Sequence, residues 1–393
     1  MGAVERVTGV PRMLVALPQR LRDPASGAAR TVTTIAEIVA RAGFAVELIA
    51  TTATEGYATL DPTEWASPDA VCTDGIHRFE SRGVRCAVLD EEGDAYDVLF
   101  DDTLRRFRPD LVFTYGGSPR AVDRRRRARA AGARVIFGLY NTAYRSRAWF
   151  DHVDLVITPS EFLSRYYRDA IGLDSEPLPT PLWPDDVLAD RRAPARVTMV
   201  NPSLEKGALV FAAIAAVLGE RYPDIEIEVF PSRSSPSSLM QIAALAGIDL
   251  SAHPKLILHP TVAVPAAIYR HARVVVVPSL VEDAAPRVIA EALANGVPPI
   301  GSDRGGIPEL CAGGGFVLPL PRHLDARSTR IDPQIVMPWI RRIAELFGSA
   351  ETWRVASERA RHVGQQYLAP VVAPGYVDAF ERVLTRASAR APR

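Results

Sequence analysis

The chain has 393 residues, 48% hydrophobic and 23% charged, with 46 basic side chains against 46 acidic ones. That composition excludes a disordered or fibrous protein and leaves room for two domains with buried cores. Zero net charge removes any global argument for nucleic acid as a partner. Three widely spaced cysteines suit a reducing compartment, and no apolar run reaches the roughly 18–20 residues of a membrane span. The start, Met1–Arg6, lacks the apolar core of a secretory signal, so a cytoplasmic protein is expected.

Met13–Leu17 reads as a buried strand. Val32, Ile35, Val39 and Ala42 then recur at helical spacing, with Gly43 where a helix end wants a left-handed residue, and Phe44–Ala50 is the next strand. Such a β-α-β unit implies a parallel sheet. Asp110–Thr114 and Val135–Leu139 are strands separated by a helix. Asp154–Thr158 is another, followed by a helix opened by Pro159-Ser160-Glu161. The segment from Pro177 to Pro194 is dense in proline and lacks periodicity, which marks a linker.

A second alternation follows. Strands are expected at Val197–Val200, Ile225–Phe230, Leu256–His259, Val274–Val277 and Val297–Gly301. Helices fit at Ala208–Glu220, Leu239–Ala246, Pro265–His271 and Arg287–Asn295. Helices near Ile335–Phe347, Glu351–Tyr367 and Tyr376–Ala387 close the chain. The fold class is therefore α/β, with two Rossmann-like domains facing a central cleft. Ligands of open parallel sheets sit beyond the carboxyl ends of the strands, so the cleft is the expected site.

Three motifs lie on that face. Asn201-Pro202-Ser203-Leu204-Glu205-Lys206-Gly207 links a strand to an apolar helix. The helix N-terminus, the close backbone approach allowed by Gly207 and the Lys206 ammonium suit a diphosphate; the alternative is a solvated helix start. Only two of the 46 basic residues are lysine, Lys206 and Lys255, which favours a purpose for Lys206. The second motif is Pro278-Ser279-Leu280-Val281-Glu282-Asp283-Ala284-Ala285-Pro286-Arg287, continuing to Glu291. Asp283 and Glu291 differ by roughly 80° around a helix, and Pro286 places Asp283 on the preceding loop. Alone, such a pair is more often solvated or capping than functional. The third is Gly305-Gly306-Ile307-Pro308-Glu309, where the glycines expose N–H groups unless this is a plain strand-to-helix turn.

In order and spacing, Asn201 to Glu309 resembles the donor-binding domain of family 4 glycosyltransferases, a retaining family of GT-B architecture. Lys206-Gly207 is similar to the family's phosphate-binding Lys-Gly, and Asp283-x7-Glu291 to its Glu-x7-Glu motif. Val156–Tyr167 resembles the segment that ends the acceptor domain. The resemblance implies an acceptor domain over 1–190, a donor domain over 191–365 and a terminal helix over 366–393 that packs back on the first domain. It implies a nucleotide-diphosphate donor, with a UDP-sugar such as UDP-N-acetylglucosamine as the family-level choice. Retention of anomeric configuration and the absence of cofactor or metal follow from the same source; there is no Asp-x-Asp triplet, and the histidines form no close metal pattern.

By resemblance, Glu291 binds the ribose hydroxyls and Asp283, or the adjacent Glu282, the donor sugar. Lys206, Gly207 and the N–H groups near Gly27, Gly305 and Gly306 stabilise the diphosphate. Arg233 supplies the positive charge absent at Asn201, where the family has arginine, and Arg287 joins the donor residues. The loop His259–Val264, with Thr261 and Val262, receives the nucleobase. The acceptor-domain histidine of the family has no clear counterpart; Asn141 or Tyr140 stands near its place. Ala285-Pro286 replaces the family's Phe-Gly.

The acceptor, whether saccharide, lipid carrier or small natural product, is open. So are a GT-B epimerase or hydrolase and a catalytically idle nucleotide-sugar-binding partner. Arg124-Arg125-Arg126-Arg127, with Arg129 and Arg134, offers a peripheral contact with an anionic membrane. Four consecutive helical residues spread over about 300°, however, which makes a solvated helix the better reading.

Overall fold

A computed structural model describes residues 9–53, 69–235, 237–251 and 253–388. The expectation about Met1–Arg6 lies outside the described residues. In chain order the first half contains β1 (Arg12–Ala16), α1 (Gly27–Arg41), β2 (Ala45–Thr51), β3 (Val71–Thr73), β4 (Ile76–Ser81) and β5 (Val84–Leu89). It continues through α2 (Asp94–Phe107), β6 (Leu111–Tyr115), α3 (Pro119–Ala130), β7 (Arg134–Gly138), β8 (Leu155–Thr158), α4 (Glu161–Ile171) and β9 (Glu176–Pro177). The strands order as β3-β4-β5-β2-β1-β6-β7-β8-β9. All pairings from β5 to β9 are parallel, while β3, β4 and β5 form an antiparallel meander at one edge.

The apolar runs become central strands because both faces are covered: Met13 to Val15 and Leu111 to Phe113 are almost wholly inaccessible. Serine caps set the helix starts. Ser26 accepts from the Ala29 N–H, Ser118 from Ala121 and Ser160 from Leu163. The meander and α2 have no counterpart among the sequence expectations. Strand β3 is three residues long and exposed throughout, and β4 is largely polar and half exposed, so neither shows a strand's alternation.

After α5 (Pro184–Val187) come β10 (Arg196–Val200), α6 (Ala208–Arg221), β11 (Glu226–Phe230), α7 (Ser238–Leu245), β12 (Leu256–Leu258), α8 (Ala266–Tyr269), β13 (Ala272–Val277), α9 (Arg287–Ala294), β14 (Pro299–Ser302), α10 (Ile307–Cys311) and β15 (Phe316–Leu318). This sheet is parallel throughout, in the order β12-β11-β10-β13-β14-β15. Then α11 (Met337–Gly348) and α12 (Ala350–Gly364) pack, and α13 (Ala369–Ser388) ends the described chain.

Helix α13 begins seven residues before the expected Tyr376, because Pro374 lies inside it. A proline this near a helix start forfeits one hydrogen bond, and burial offsets that loss. Ala369, Val372, Tyr376, Ala379, Phe380 and Val383 share a core with β1, β2 and α1. The proline-rich passage is likewise not a loose linker. Leu182 exchanges hydrogen bonds with Tyr367 and Ala369 at 2.8 and 2.7 Å. The Trp183 indole N–H donates to Glu37, and Arg82 pairs with Asp186.

The arginine run on α3 is neither a solvated helix nor a basic face. Arg124 and Arg125 are only 4% and 1% exposed. Helix α3 packs on α2, and acids on α2 and the turn before it answer it: Arg120 meets Asp94 and Asp97, Arg124 meets Glu92 and Asp97, and Arg127 meets Asp97 and Asp101. Arg126 pairs with Asp123, while Arg129 and Arg134 converge on Asp154. Among the described residues no helix is long and apolar enough to cross a membrane.

Candidate active site

Each sheet has a point where successive connections leave in opposite directions, between β1 and β6 and between β10 and β13. Loops diverge there and leave a crevice at the strand ends. The two crevices meet in a cleft of about 540 Å³. It is lined by Lys206, Asp283, Glu282, Gly27, Asn141, Asn201, Arg233, Val262, Arg287 and Glu291 among the expected residues. Gly207, Thr261, Gly305 and Gly306 are not on its lining.

On the second-half wall, the Lys206 ammonium pairs with Asp283 at 2.5 Å, and the Ser279 hydroxyl also approaches Asp283. Glu291, 5% exposed, accepts from Arg287 Nε at 2.8 Å and from the Tyr269 hydroxyl at 2.8 Å. Burial, with the Glu291 charge adding to it, holds the Tyr269 phenol well above its ordinary pKa, so it remains a donor. Glu282 turns from Asp283: its carboxylate accepts from the Gly305 N–H at 2.6 Å and meets Arg322 at 3.3 Å.

The glycines therefore act differently from the expectation. Gly305 donates to Glu282, and the Gly306 N–H donates to the Asp283 carbonyl at 2.7 Å. A side chain at Gly305 would place its Cβ 2.2 Å from the Asp283 carbonyl oxygen. The pair is a seat for the acidic loop rather than a set of open N–H groups. Gly207, at φ +82°, would place a Cβ 1.9 Å from the Pro278 carbonyl oxygen. Its close approach is to the neighbouring strand end. Asn201 has φ +60°, a left-handed conformation that asparagine tolerates better than arginine. Its amide oxygen accepts from the Ser234 hydroxyl at 2.8 Å.

The first-half wall brings Gly27 and Thr31 at the start of α1 against Arg287, whose guanidinium donates to Thr31 at 3.3 Å and to the Pro181 carbonyl at 3.1 Å. Arg30, absent from the expected set, reaches the Ala263 carbonyl at 2.8 Å in the loop proposed for the base. Burial pulls its pKa down to about 10 against the opposing pull of Glu291. Its position one helical turn after Gly27 is the signal that identifies it. Asn141 closes a turn on the Ala143 N–H, and Tyr115, Tyr140 and Tyr144 stand beside it.

Other bonds join the halves beside the cleft. The Ser160 hydroxyl donates to the Ala284 carbonyl at 2.7 Å. Glu309, from the Gly-Gly motif, accepts the first two N–H groups of α4, Glu161 and Phe162, at 2.9 and 2.8 Å. An anionic side chain thus caps a helix of the other half.

The paired crevices, with an acid-and-lysine wall on one side only, agree with two family models. Residues 25–180 match Glycosyltransferase Family 4, and residues 197–328 match Glycosyl transferases group 1. The chain is a family 4 glycosyltransferase of GT-B fold. Sucrose-phosphate synthase from Thermosynechococcus elongatus superposes with a TM-score of 0.69 at 17% identity, over 95% of this chain and 100% of that one. Anabaena HepE in complex with UDP-glucose gives 0.68 at 13%, over 94% and 99%. The pneumococcal O-GlcNAc transferase GtfA in complex with UDP and GlcNAc gives 0.66 at 12%, over 95% and 99%. No curated protein matches the chain in sequence. Within this glycosyltransferase, Lys206 and Glu291 stand on the half matched by the group 1 model, and Gly27, Arg30 and Asn141 on the half matched by the family 4 model.

Proposed function

We propose that the protein transfers a sugar from a nucleoside-diphosphate donor, with a UDP-sugar such as UDP-N-acetylglucosamine as the first choice, and retains the anomeric configuration. The observation that carries this reading is Lys206 in the cleft, opposite Gly27 and Arg30 and held by Asp283 beside the buried Glu291. A diphosphate entering there takes Lys206 from Asp283, which frees that carboxylate for a sugar hydroxyl. Glu291 keeps a lone pair on each oxygen for the ribose. The neighbours crystallised with UDP-glucose, or with UDP and GlcNAc, support the donor class.

The four carboxylates on the cleft lining, Glu205, Glu282, Asp283 and Glu291, all come from the second half. Among the described residues, those of the first half that line the cleft include no Asp, Glu or His. In the proposed reaction the acceptor's proton passes to the departing diphosphate oxygen. The bond from the anomeric carbon to that oxygen breaks, the bond to the acceptor oxygen forms, and both lie on the same face of the sugar. Attack from that face retains configuration. Lys206 stabilises the charge that develops on the diphosphate, with no metal required.

A thermal-shift panel of UDP, GDP and dTDP sugars on the wild type and Lys206→Ala tests the reading. Binding at one hundred times Kd stabilises the native state by about 2.7 kcal/mol. One nucleotide should shift the wild type and not the variant. Turnover in Lys206→Ala should fall by about 10²–10³; wild-type turnover there would overturn the assignment. Product analysis without acceptor separates transfer from epimerisation or hydrolysis.

A further inference from the structure

The cleft is divided by charge. Of its charged lining residues among those described, only Arg30 comes from the first half. Its guanidinium is already engaged, donating to the Ala263 carbonyl at 2.8 Å and to the Asp23 carbonyl at 3.2 Å. The remainder of that wall, beyond the start of α1, consists of Tyr115, Tyr140 and Tyr144 with Asn141, Thr142 and small residues.

Two of these tyrosines are built in closely. A Cβ on Gly138 would lie 2.7 Å from the Tyr140 ring, and one on Gly117 would lie 2.1 Å from the Tyr144 ring. Only glycine leaves room for either ring. Tyr144 is further held edge-on by Phe137 and Phe150, with centroids 6.0 and 5.5 Å away, and its N–H donates to the Tyr167 hydroxyl at 3.1 Å. Tyr140 meets Tyr115 edge-on at 6.1 Å. Among the described residues the Tyr140 hydroxyl has no hydrogen-bond partner although it is buried. A buried hydroxyl without a partner costs free energy, and this one is packed against the Gly138 backbone.

We infer that the acceptor is an uncharged, hydroxyl-bearing ring compound that lays a flat face on Tyr115, Tyr140 and Tyr144. The inference rests on the transferase reading and names the substrate class of the same cleft. Aromatic rings take the C–H face of a sugar ring or the face of a phenol; the Tyr115 hydroxyl is held by Gln19, so the rings rather than the phenol tips form the contact. A phosphate-bearing acceptor would bury its charge against a neutral wall, which is costly without a paired cation. Arg125 lies behind this wall, but its guanidinium is buried on the Trp149 carbonyl at 2.7 Å and does not line the cleft. The shared chemistry fits the end of a saccharide or a phenolic natural product.

The test uses the full chain with the nucleotide sugar that gives the thermal shift, and measures nucleotide release above the acceptor-free rate. The probes are maltotriose and methyl glucoside as neutral sugars, 4-methylumbelliferone as a phenol, and glucose 6-phosphate and undecaprenyl phosphate as charged acceptors. Stimulation by a neutral probe and not by the charged pair is expected, and whether sugar or phenol responds names the source. Tyr144→Ala should raise the KM for that probe about tenfold, Tyr144→Phe should restore it to within about twofold, and the donor thermal shift should be unchanged in both. Stimulation by the phosphates alone, or by no neutral probe while the donor shift persists, overturns the inference. An unaltered KM in Tyr144→Ala overturns it too. Absence of any nucleotide shift would instead remove the transferase reading itself.

Discussion

Gly207 shows how one residue can be placed correctly and explained differently. The motif puts it beside Lys206 at the start of a helix, and the natural inference is that it lets a phosphate approach the backbone. The space beside its Cα is filled by the Pro278 carbonyl, so its role is to let β10's exit loop pack against the end of β13. Gly207→Ala combines that overlap with a positive φ of +82°. It should cost about 1–3 kcal/mol and lower Tm in a thermal melt without ligand. A phosphate-contact role alone would leave that melt unchanged. Lys206 is legible from sequence because its rarity and spacing are one-dimensional facts. The partner that holds it is 77 positions away, and no spacing rule selects Asp283 over Glu282. The structure does so through Gly305, whose N–H draws Glu282 aside. Arg30 is legible only after α1 is known to face the cleft with its first turn.

At the scale of elements, the buried parallel strands announce themselves by composition, and the β3–β5 meander does not because its residues are half exposed. The α3 arginines mislead for a related reason. Their charge is visible in sequence, whereas the acids that neutralise them lie mainly on α2, across a helix contact. Helix α4 carries the clearest cross-half dependence, since its first turn is capped by Glu309 from α10. Glu309→Ala should cost about 0.5–2 kcal/mol, the usual range for a lost cap. It should also speed hydrogen exchange at the Glu161 and Phe162 amides while leaving exchange in the β10–β13 core unchanged. Uniform acceleration across both halves would show that the contact is not local.

For the molecule as a whole, the two successive α/β alternations are readable apart from β3–β5, α2 and the short elements β9, α5, α10 and β15, while the manner in which the halves are tied is not. Pro374 looks like a helix breaker, yet α13 runs through it because Tyr376 and Phe380 are fully buried against the first sheet. The Tyr376 hydroxyl donates to the Pro179 carbonyl at 3.0 Å, and Arg382 pairs with Glu176 at 2.5 Å. Removal of residues 369–393 should uncover the core around β1 and α1. Limited proteolysis of that truncated chain should cut first among residues 9–180, with the β10–β15 sheet surviving longer. Equal resistance of both parts would mean that α13 is dispensable to the first half.

The same helix sets the order in which the protein can be finished on the ribosome. The first half begins the chain but takes one of its core helices from the far end, whereas β10 to α12 is a continuous stretch. At about 5–20 residues per second, the interval between synthesis of α5 and of α13 is on the order of ten to forty seconds. During that interval the nascent first half exposes the apolar surface that Val372, Phe380 and Leu384 will cover. The later-made half therefore has all its core helices in hand before the earlier-made half does, which reverses the usual vectorial sequence.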